Sequence, residues 1–198
     1  MKNNRFLFLG VVCSLFWVSQ AWGHEAHEHG AAKIDLAIEG QEVEIELETP
    51  LANVISFEHA PRTPSQEKEI RAMAAIMHTN KTLFSFPDKA GCVLEKVSLK
   101  SDVISRDLLA PPSSSGGKAT QSASVSPKKT KDKKDDDDEH ADLDAEFAYR
   151  CQNPQALTYI RTGLFKSFPR LKRVDMQIAG PKGQRAARLT PRSNVIKW

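Results

Sequence analysis

Residues 34–50 read IDLAIEGQEVEIELETP, and this stretch decides the fold. Apolar residues occupy every second position on both sides of a Gly-Gln pair, namely Ile34, Leu36 and Ile38 before it and Val43, Ile45 and Leu47 after it. Because successive side chains of a strand point to opposite faces, the alternation predicts a two-stranded hairpin with one apolar and one acidic face. Pro50 ends the second strand, and Leu51 to Phe57 are predicted to continue as a further extended piece.

A helical pattern follows Ser65. Apolar side chains recur at spacings of three and four, at Ile70, Met73, Ala74 and Met77, which predicts an amphipathic helix. The two methionines could be soft metal ligands, but at this spacing beside Ile70 they are interpreted as core residues.

Four further strands and a second helix are predicted downstream. The strands are Cys92 to Lys100, Asp142 to Arg150, Arg173 to Ile178, and Gln184 to Leu189; the helix is capped by Asn153, opened by Pro154, and directs Leu157, Ile160 and Leu164 inward. This order predicts an α+β fold for residues 33–198, a single domain with a largely antiparallel sheet and two helices.

A linker interrupts the domain. Residues 111–138 read PPSSSGGKATQSASVSPKKTKDKKDDDD, with no leucine, isoleucine, methionine or aromatic residue. Such a segment cannot bury enough apolar surface to offset its ordering entropy, so residues 110–140 are predicted to be a disordered insert. Its lysines do not indicate a nucleic-acid partner, because Asp135 to Asp138 offset their charge and no aromatic residue is available for base stacking.

The N-terminus has the pattern of a secretory signal. The chain of 198 residues is 40% hydrophobic with a formal net charge of +3, which excludes a wholly disordered chain and a multi-pass membrane protein. A basic start precedes an apolar run at Phe6 to Val18 and small residues at Ala21 and Gly23. Residues 1–23 are therefore predicted to be a signal peptide that leaves a periplasmic protein without a membrane anchor. The run is about 13 residues, whereas a spanning helix needs roughly 20, so a retained anchor is the weaker alternative.

Export determines how the cysteines are interpreted. Cys13 lies in the predicted signal, which leaves Cys92 and Cys151. An even number in an oxidising compartment predicts one disulfide, with two buried free thiols as the alternative. If the strands on either side of the linker pair antiparallel, the cysteines lie side by side. The apolar positions Val93, Val97 and Leu99 then share one face with the apolar residues of the partner strand only if a β-bulge occurs or if the cysteines lie just outside the regular ladder.

Metal-ligand chemistry is concentrated near the predicted mature N-terminus. Three of the six histidines, His24, His27 and His29, lie within residues 24–32 and alternate with glutamates. Such a segment is a flexible chelator for Zn²⁺, and Cu²⁺ or Ni²⁺ are not excluded. His59 and His140 are candidates for a structured metal site, whereas His78 is expected to face the helix C-terminal dipole or solvent.

No nucleophile elbow, phosphate loop or dinucleotide fingerprint occurs in the sequence, and the histidine spacing is not that of a metalloprotease. We therefore expect a protein that is not an enzyme. A competing hypothesis is a periplasmic interaction module that docks a partner with its basic C-terminal half, formed by Lys166, Arg170, Lys172, Arg173, Lys182, Arg185, Arg188 and Arg192.

Two ordered sets of motifs resemble the ZrgA-type periplasmic zinc-uptake proteins. The first set comprises His29-Gly30-Ala31, Thr49-Pro50, Ala52-Asn53 and Phe57-Glu58-His59-Ala60-Pro61; the second comprises His140-Ala141-Asp142, Tyr149-Arg150-Cys151, Asn153-Pro154-Gln155-Ala156-Leu157, Leu164-Phe165-Lys166-Ser167-Phe168-Pro169, Gly183-Gln184 and Leu189-Thr190. The resemblance implies a protein that captures Zn²⁺ as cargo and assists an ABC-type zinc importer. The sequence departs from that family at the linker, where members carry a His/Asp-rich tract and this chain has lysines, four aspartates and His140, so the N-terminal histidines become the main capture candidates.

Overall fold

The structure is a computed structural model that describes residues 28–112 and 141–197. The predicted signal peptide (1–23), His24, His27, most of the predicted linker (113–140, with His140) and Trp198 lie outside the described residues. The predictions made for those positions remain predictions.

The predicted hairpin forms the centre of a six-stranded sheet. It consists of β1 (Ala31–Glu39) and β2 (Glu42–Pro50), joined at Gly40-Gln41, with Ile38 opposite Val43. The alternating aliphatic side chains of both strands are buried and their acidic neighbours are exposed. Burial of one complete face gives the hairpin a fixed register, because a slip of one residue would turn that face to water.

Four more strands complete this sheet: β4 (Cys92–Lys100), β5 (Asp142–Cys151), β7 (Arg173–Gly180) and β8 (Gly183–Leu189). The strand order is β4-β5-β2-β1-β7-β8. All neighbours are antiparallel except β1 and β7, which are parallel. The predicted α+β class, with a largely antiparallel sheet, is confirmed.

The first helix is confirmed as well. It is α1 (Pro64–Thr79), which begins one residue before the predicted Ser65 because the Thr63 side chain accepts a hydrogen bond from the Gln66 N–H at 3.3 Å. Ile70, Met73, Ala74 and Met77 are buried in the core. The methionines are therefore packing residues, as their helical spacing predicted.

A second, three-stranded sheet was not predicted. It contains β3 (Phe84–Ser85), β6 (Tyr159–Thr162) and β9 (Val195–Lys197) in the order β3-β6-β9. Two short helices complete the described elements, α2 (Arg106–Leu109) and α3 (Leu164–Ser167).

Two local predictions were wrong. Residues 51–57 are not extended: a 3-10 turn forms at Leu51–Asn53, because the N–H groups of Val54 and Ile55 both donate to the Leu51 carbonyl. The helix predicted from Pro154 is a 3-10 turn, Pro154–Ala156, followed by β6. Strand β6 hydrogen-bonds to partners distant in sequence on both sides, and this pairing overrides the local helical spacing.

The disulfide joins Cys92 and Cys151 with an S–S distance of 2.02 Å. The two cysteines are direct partners at the ends of β4 and β5, which pair antiparallel, and the register shifts between Leu94 and Lys96. Of the two predicted alternatives, the structure therefore shows the irregularity within the strand, with the cysteines inside the ladder. The register shift lies after Leu94. Beyond it, Val97 and Leu99 pack against the core. Val93 lies before the shift, faces outward and is 62% exposed, contrary to its predicted position.

Candidate metal centre

One end of the large sheet gathers the described candidate residues. Strand β1 begins there and β2 ends there, and β5 begins beside them, since Pro50 is opposite Asp142. The Leu51 N–H donates to the Ala141 carbonyl at 2.8 Å, which fixes the chain next to His140 against the end of β2. His140 itself lies outside the described residues.

Buried Asn53 holds this end together. Its Oδ1 accepts from the Gly30 N–H at 2.6 Å, and its Nδ2 donates to the Ala31 carbonyl at 2.7 Å and to Thr49 Oγ1 at 2.9 Å. Asn53 is 2% exposed. Because the Asn53 side chain is shielded from water, these hydrogen bonds fix the position of the turn that carries His29 relative to the strands.

Gly30 allows the turn into β1. Its φ is +86°, a left-handed conformation that residues with a Cβ rarely adopt, and an added Cβ would lie 3.3 Å from Lys172 Cγ. Its carbonyl accepts from the N–H groups of both Lys172 and Arg173, at 2.7 and 2.9 Å. The turn thus joins His29 to the start of β7 as well as to β2.

His29 contacts Glu58 on the loop that follows the 3-10 turn. His29 Nε2–H donates to Glu58 Oε1 and Oε2, at 3.1 and 3.2 Å. The His29 side chain is 58% exposed and that of Glu58 18%. Zinc accepts imidazole and carboxylate groups as ligands, so both side chains could bind one ion. Alternatively, the Glu58 carboxylate orients the His29 ring through Nε2, and Nδ1 of the ring is the nitrogen that binds the metal.

The neighbouring His59 ring is held from two sides. Its Nδ1–H donates to the Ala60 carbonyl at 2.8 Å, and its ring centroid lies 5.2 Å from that of Phe57. A proton on Nδ1 leaves the lone pair on Nε2. This is the arrangement of metal-binding histidines, in which a backbone carbonyl commonly fixes the tautomer.

A charged network joins the start of the described chain to β7. Arg173 donates from Nη1 and Nη2 to the two carboxylate oxygens of Glu28, at 3.0 and 2.8 Å, and from Nε to Asp175 Oδ2 at 2.9 Å. Arg188 Nε donates to Asp175 Oδ1 at 2.8 Å. The hydrogen bonds that Arg173 donates to Glu28 are the main factor that raises the Arg173 pKa, and the hydrogen bond that Arg188 donates to Asp175 is the main factor that lowers the Asp175 pKa.

The structure brings together only part of the predicted set. His29 and the Glu58-His59 segment share one end of the sheet, while His24, His27 and His140 lie outside the described residues. Within residues 28–112 and 141–197, no group of three or more histidine, cysteine, aspartate or glutamate side chains is placed to hold a metal ion. His78 is away from this end and donates from Nε2 to the Leu109 carbonyl of α2 at 2.9 Å.

Three residues of this centre were not predicted from sequence. Glu58 carried a local signal, since it stands beside His59 in the chain. Asn53 appeared only within a family motif and Arg173 only within the basic C-terminal half, because their roles at this end depend on partners 23 and 145 residues away.

The fold and the His29–Glu58 contact together define a disulfide-linked α+β protein with an imidazole and a carboxylate in contact at one end of its sheet. The model of the family described as "ZrgA family zinc uptake protein" matches residues 26–198. The chain belongs to this family of zinc uptake proteins. A search of curated proteins found no match. None of the helices in the described ranges is long and apolar enough to cross a membrane.

Proposed function

We propose that the protein captures Zn²⁺ in the periplasm, after removal of residues 1–23, and supplies it to an ABC-type zinc importer without catalysing a reaction. The observation that carries the proposal is the contact of His29 with Glu58. The next residue in the chain after Glu58 is His59, whose Nδ1 is hydrogen-bonded to the Ala60 carbonyl. Membership in a zinc uptake family supports zinc as the cargo.

The candidate ligands form two groups. His24 and His27, with His29, belong to the N-terminal segment and would bind exchangeable ions, whereas His59 and His140 would complete a site at the sheet end with His29 and Glu58. The sequence places His140 next to Ala141, which is hydrogen-bonded at this same end. Because imidazole binds a metal only when deprotonated, capture should weaken as the pH is lowered.

The competing hypothesis of a basic docking surface receives less support. Five of its eight basic residues donate to intramolecular oxygens: Arg170 to the Ile55 carbonyl, Lys172 to the Pro169 carbonyl, Arg173 to Glu28 and Asp175, Lys182 to the Leu157 carbonyl and Arg188 to Asp175. Part of the hydrogen-bonding capacity of this half is therefore used within the fold, which favours metal binding over docking as the main role.

Calorimetric titration of chain 24–198 with Zn²⁺ tests the proposal. We expect the wild type to bind Zn²⁺ and a His24→Ala/His27→Ala/His29→Ala variant to bind fewer ions per chain. Glu58→Gln or His59→Ala should reduce the affinity of the sheet-end site by about 10- to 100-fold. The control is His78→Ala, which alters a histidine held by the Leu109 carbonyl and should leave binding unchanged. Equal and negligible binding by the wild type and the triple variant would refute the proposal.

Competition with Cu²⁺ and Ni²⁺ in the same titration determines which ion this ligand set selects, since Cu²⁺ generally binds nitrogen ligands more tightly than Zn²⁺. Cross-linking to the importer components in the presence and absence of chelator tests the delivery step. A partner recovered equally well in both conditions would favour the docking hypothesis instead.

A further inference from the structure

The loop that carries Glu58 is held from outside at two consecutive residues. The Arg170 guanidinium donates from Nη1 to the Ile55 carbonyl, and Ser56 Oγ–H donates to Glu69 Oε2 at 2.6 Å. Ile55 is 1% exposed, so its carbonyl needs a protein donor in place of water. The contact from Glu69 comes from α1, whereas the contact from Arg170 comes from the segment that leads into β7.

This segment also holds the turn that carries His29. The N–H groups of Lys172 and Arg173 donate to the Gly30 carbonyl, and a Cβ on Gly30 would lie 3.6 Å from the Arg170 carbonyl oxygen. These contacts are made by backbone atoms of the segment, whereas the contact with the Glu58 loop is made by the Arg170 side chain. A substitution at Arg170 therefore removes a contact to the loop and leaves the hydrogen bonds to the His29 turn in place.

The distance between the loop and the turn decides whether His29 and Glu58 can bind one ion. The two side chains meet across 29 residues of chain, with 3.1 Å between His29 Nε2 and Glu58 Oε1. The His29 side chain is more than half exposed, so its own packing does not fix this distance. A functional site tolerates displacements of only about 0.5 Å. Any contact that fixes the loop relative to the turn should therefore affect metal affinity.

We propose that Arg170 is a positioning residue for zinc capture, whose side chain holds the loop of Glu58 and His59 at a fixed distance from the turn of His29. This inference rests on the proposed function. Arg170 acts through the Ile55 carbonyl and not on the ion itself. Because the loop is already in place when the ion arrives, capture does not have to order it. Without the donor, the buried carbonyl loses its partner and the loop must be ordered at each binding event.

Zinc titration of chain 24–198 in competition with a chelator, followed by the NMR signals of the His29 and His59 rings, tests the proposal. Arg170→Met keeps the apolar stem and removes the donor, and should lower the affinity of the sheet-end site by about three- to tenfold. Arg170→Lys retains a donor for the carbonyl and should recover most of that affinity. In the metal-free protein, the nuclear Overhauser effect between His29 and Glu58 should weaken in Arg170→Met and persist in Arg170→Lys.

A double-mutant cycle separates positioning from stability. Arg170→Met is also made in a Glu58→Gln/His59→Ala background, whose loop has lost both candidate ligands. Its effect on the remaining Zn²⁺ affinity should be absent there, because the loop has no ligand left to position. Urea unfolding should show the same loss of stability from Arg170→Met in both backgrounds. Equal affinity losses in the two backgrounds would show a merely structural role and overturn the proposal, as would unchanged affinity of Arg170→Met in the wild type.

The matched control is Lys172→Met, which removes a basic group from the same segment. Its Nζ donates to the Pro169 carbonyl and not to the Glu58 loop, so the zinc affinity should equal that of the wild type. If Arg170→Met does not fold, Arg170→Gln allows the same comparison, because its amide ends closer to the backbone than a guanidinium does. Absence of zinc binding by the wild type would instead refute the proposed function.

Discussion

The disulfide offers the sharpest test of the stability of this fold. The change is the double substitution Cys92→Ala/Cys151→Ala. Alanine is chosen because Cys151 is fully buried, so a serine hydroxyl there would add a separate desolvation cost. The two cysteines are direct partners in the ladder, and the strands beyond them are also joined by seven further residue pairs, so we expect the pairing to persist without the covalent bond.

The magnitude follows from the length of chain that the bond closes. The cysteines are 59 residues apart. The entropy removed from the unfolded chain by closing a loop of that length corresponds to about 4 kcal/mol. For a urea dependence of about 2 kcal/mol/M, the midpoint of unfolding should fall by about 2 M. Reduction of the wild type should produce the same decrease.

Equilibrium urea unfolding followed by circular dichroism measures this change. The same comparison in chains that lack residues 113–139, one with both cysteines and one with both alanines, tests whether the stabilisation comes from loop closure. The closed loop then has about 32 residues, and the stabilisation by the disulfide should decrease by only about 0.5 kcal/mol. A midpoint shift below about 0.5 M urea for the double substitution, or a disulfide that stabilises the shortened chain more than the full one, would refute the loop-entropy reasoning.

Three further outcomes follow from single side chains. Asn53→Ala should cost about 2–3 kcal/mol in urea unfolding, because it leaves the Gly30 N–H and the Ala31 carbonyl without their buried partner; a cost below about 0.5 kcal/mol would contradict this role. The lowered pKa of Asp175 means that its ion pairs stabilise the fold above the unfolded value of about 3.8 and are lost as pH falls through the lower folded value; for this half-exposed group we expect about 0.5 kcal/mol between wild type and Asp175→Asn at pH 7, and a difference that decreases as pH falls below about 3.8, whereas a difference that stays constant would contradict the expectation. Burial raises the pKa of Tyr149, so the wild type should lose stability as pH rises above about 10, where the unfolded phenol ionises, and Tyr149→Phe should lose less; parallel alkaline profiles would contradict this expectation.

Local patterns predicted several elements well. The alternation in residues 34–47 predicted β1 and β2, and the spacing of four apolar side chains predicted α1. The conflict between cysteine register and apolar alternation predicted either a bulge or cysteines outside the ladder, and the structure has a register shift within β4. In each case, burial of one face acts on residues close together in the chain, so the pattern is present in the local sequence.

The failure at the second predicted helix comes from tertiary strand pairing. The segment from Pro154 to Leu164 has helical spacing, and its inward residues Leu157, Ile160 and Leu164 are indeed buried. Its backbone is nevertheless a turn and a strand, because Tyr159–Thr162 is paired between β3 and β9. Spacing identified which side chains are buried but could not identify the hydrogen-bonding partners of the backbone.

Local spacing and composition were enough to predict the hairpin, the first helix, the disulfide and the concentration of histidines near the N-terminus. The parallel pairing of β1 with β7 was visible only in the folded protein, as were the contacts of Arg173 with Glu28 and of His29 with Glu58. The physical reason is that these contacts join segments far apart in the chain. They arise from the packing of the whole sheet, which no local pattern encodes.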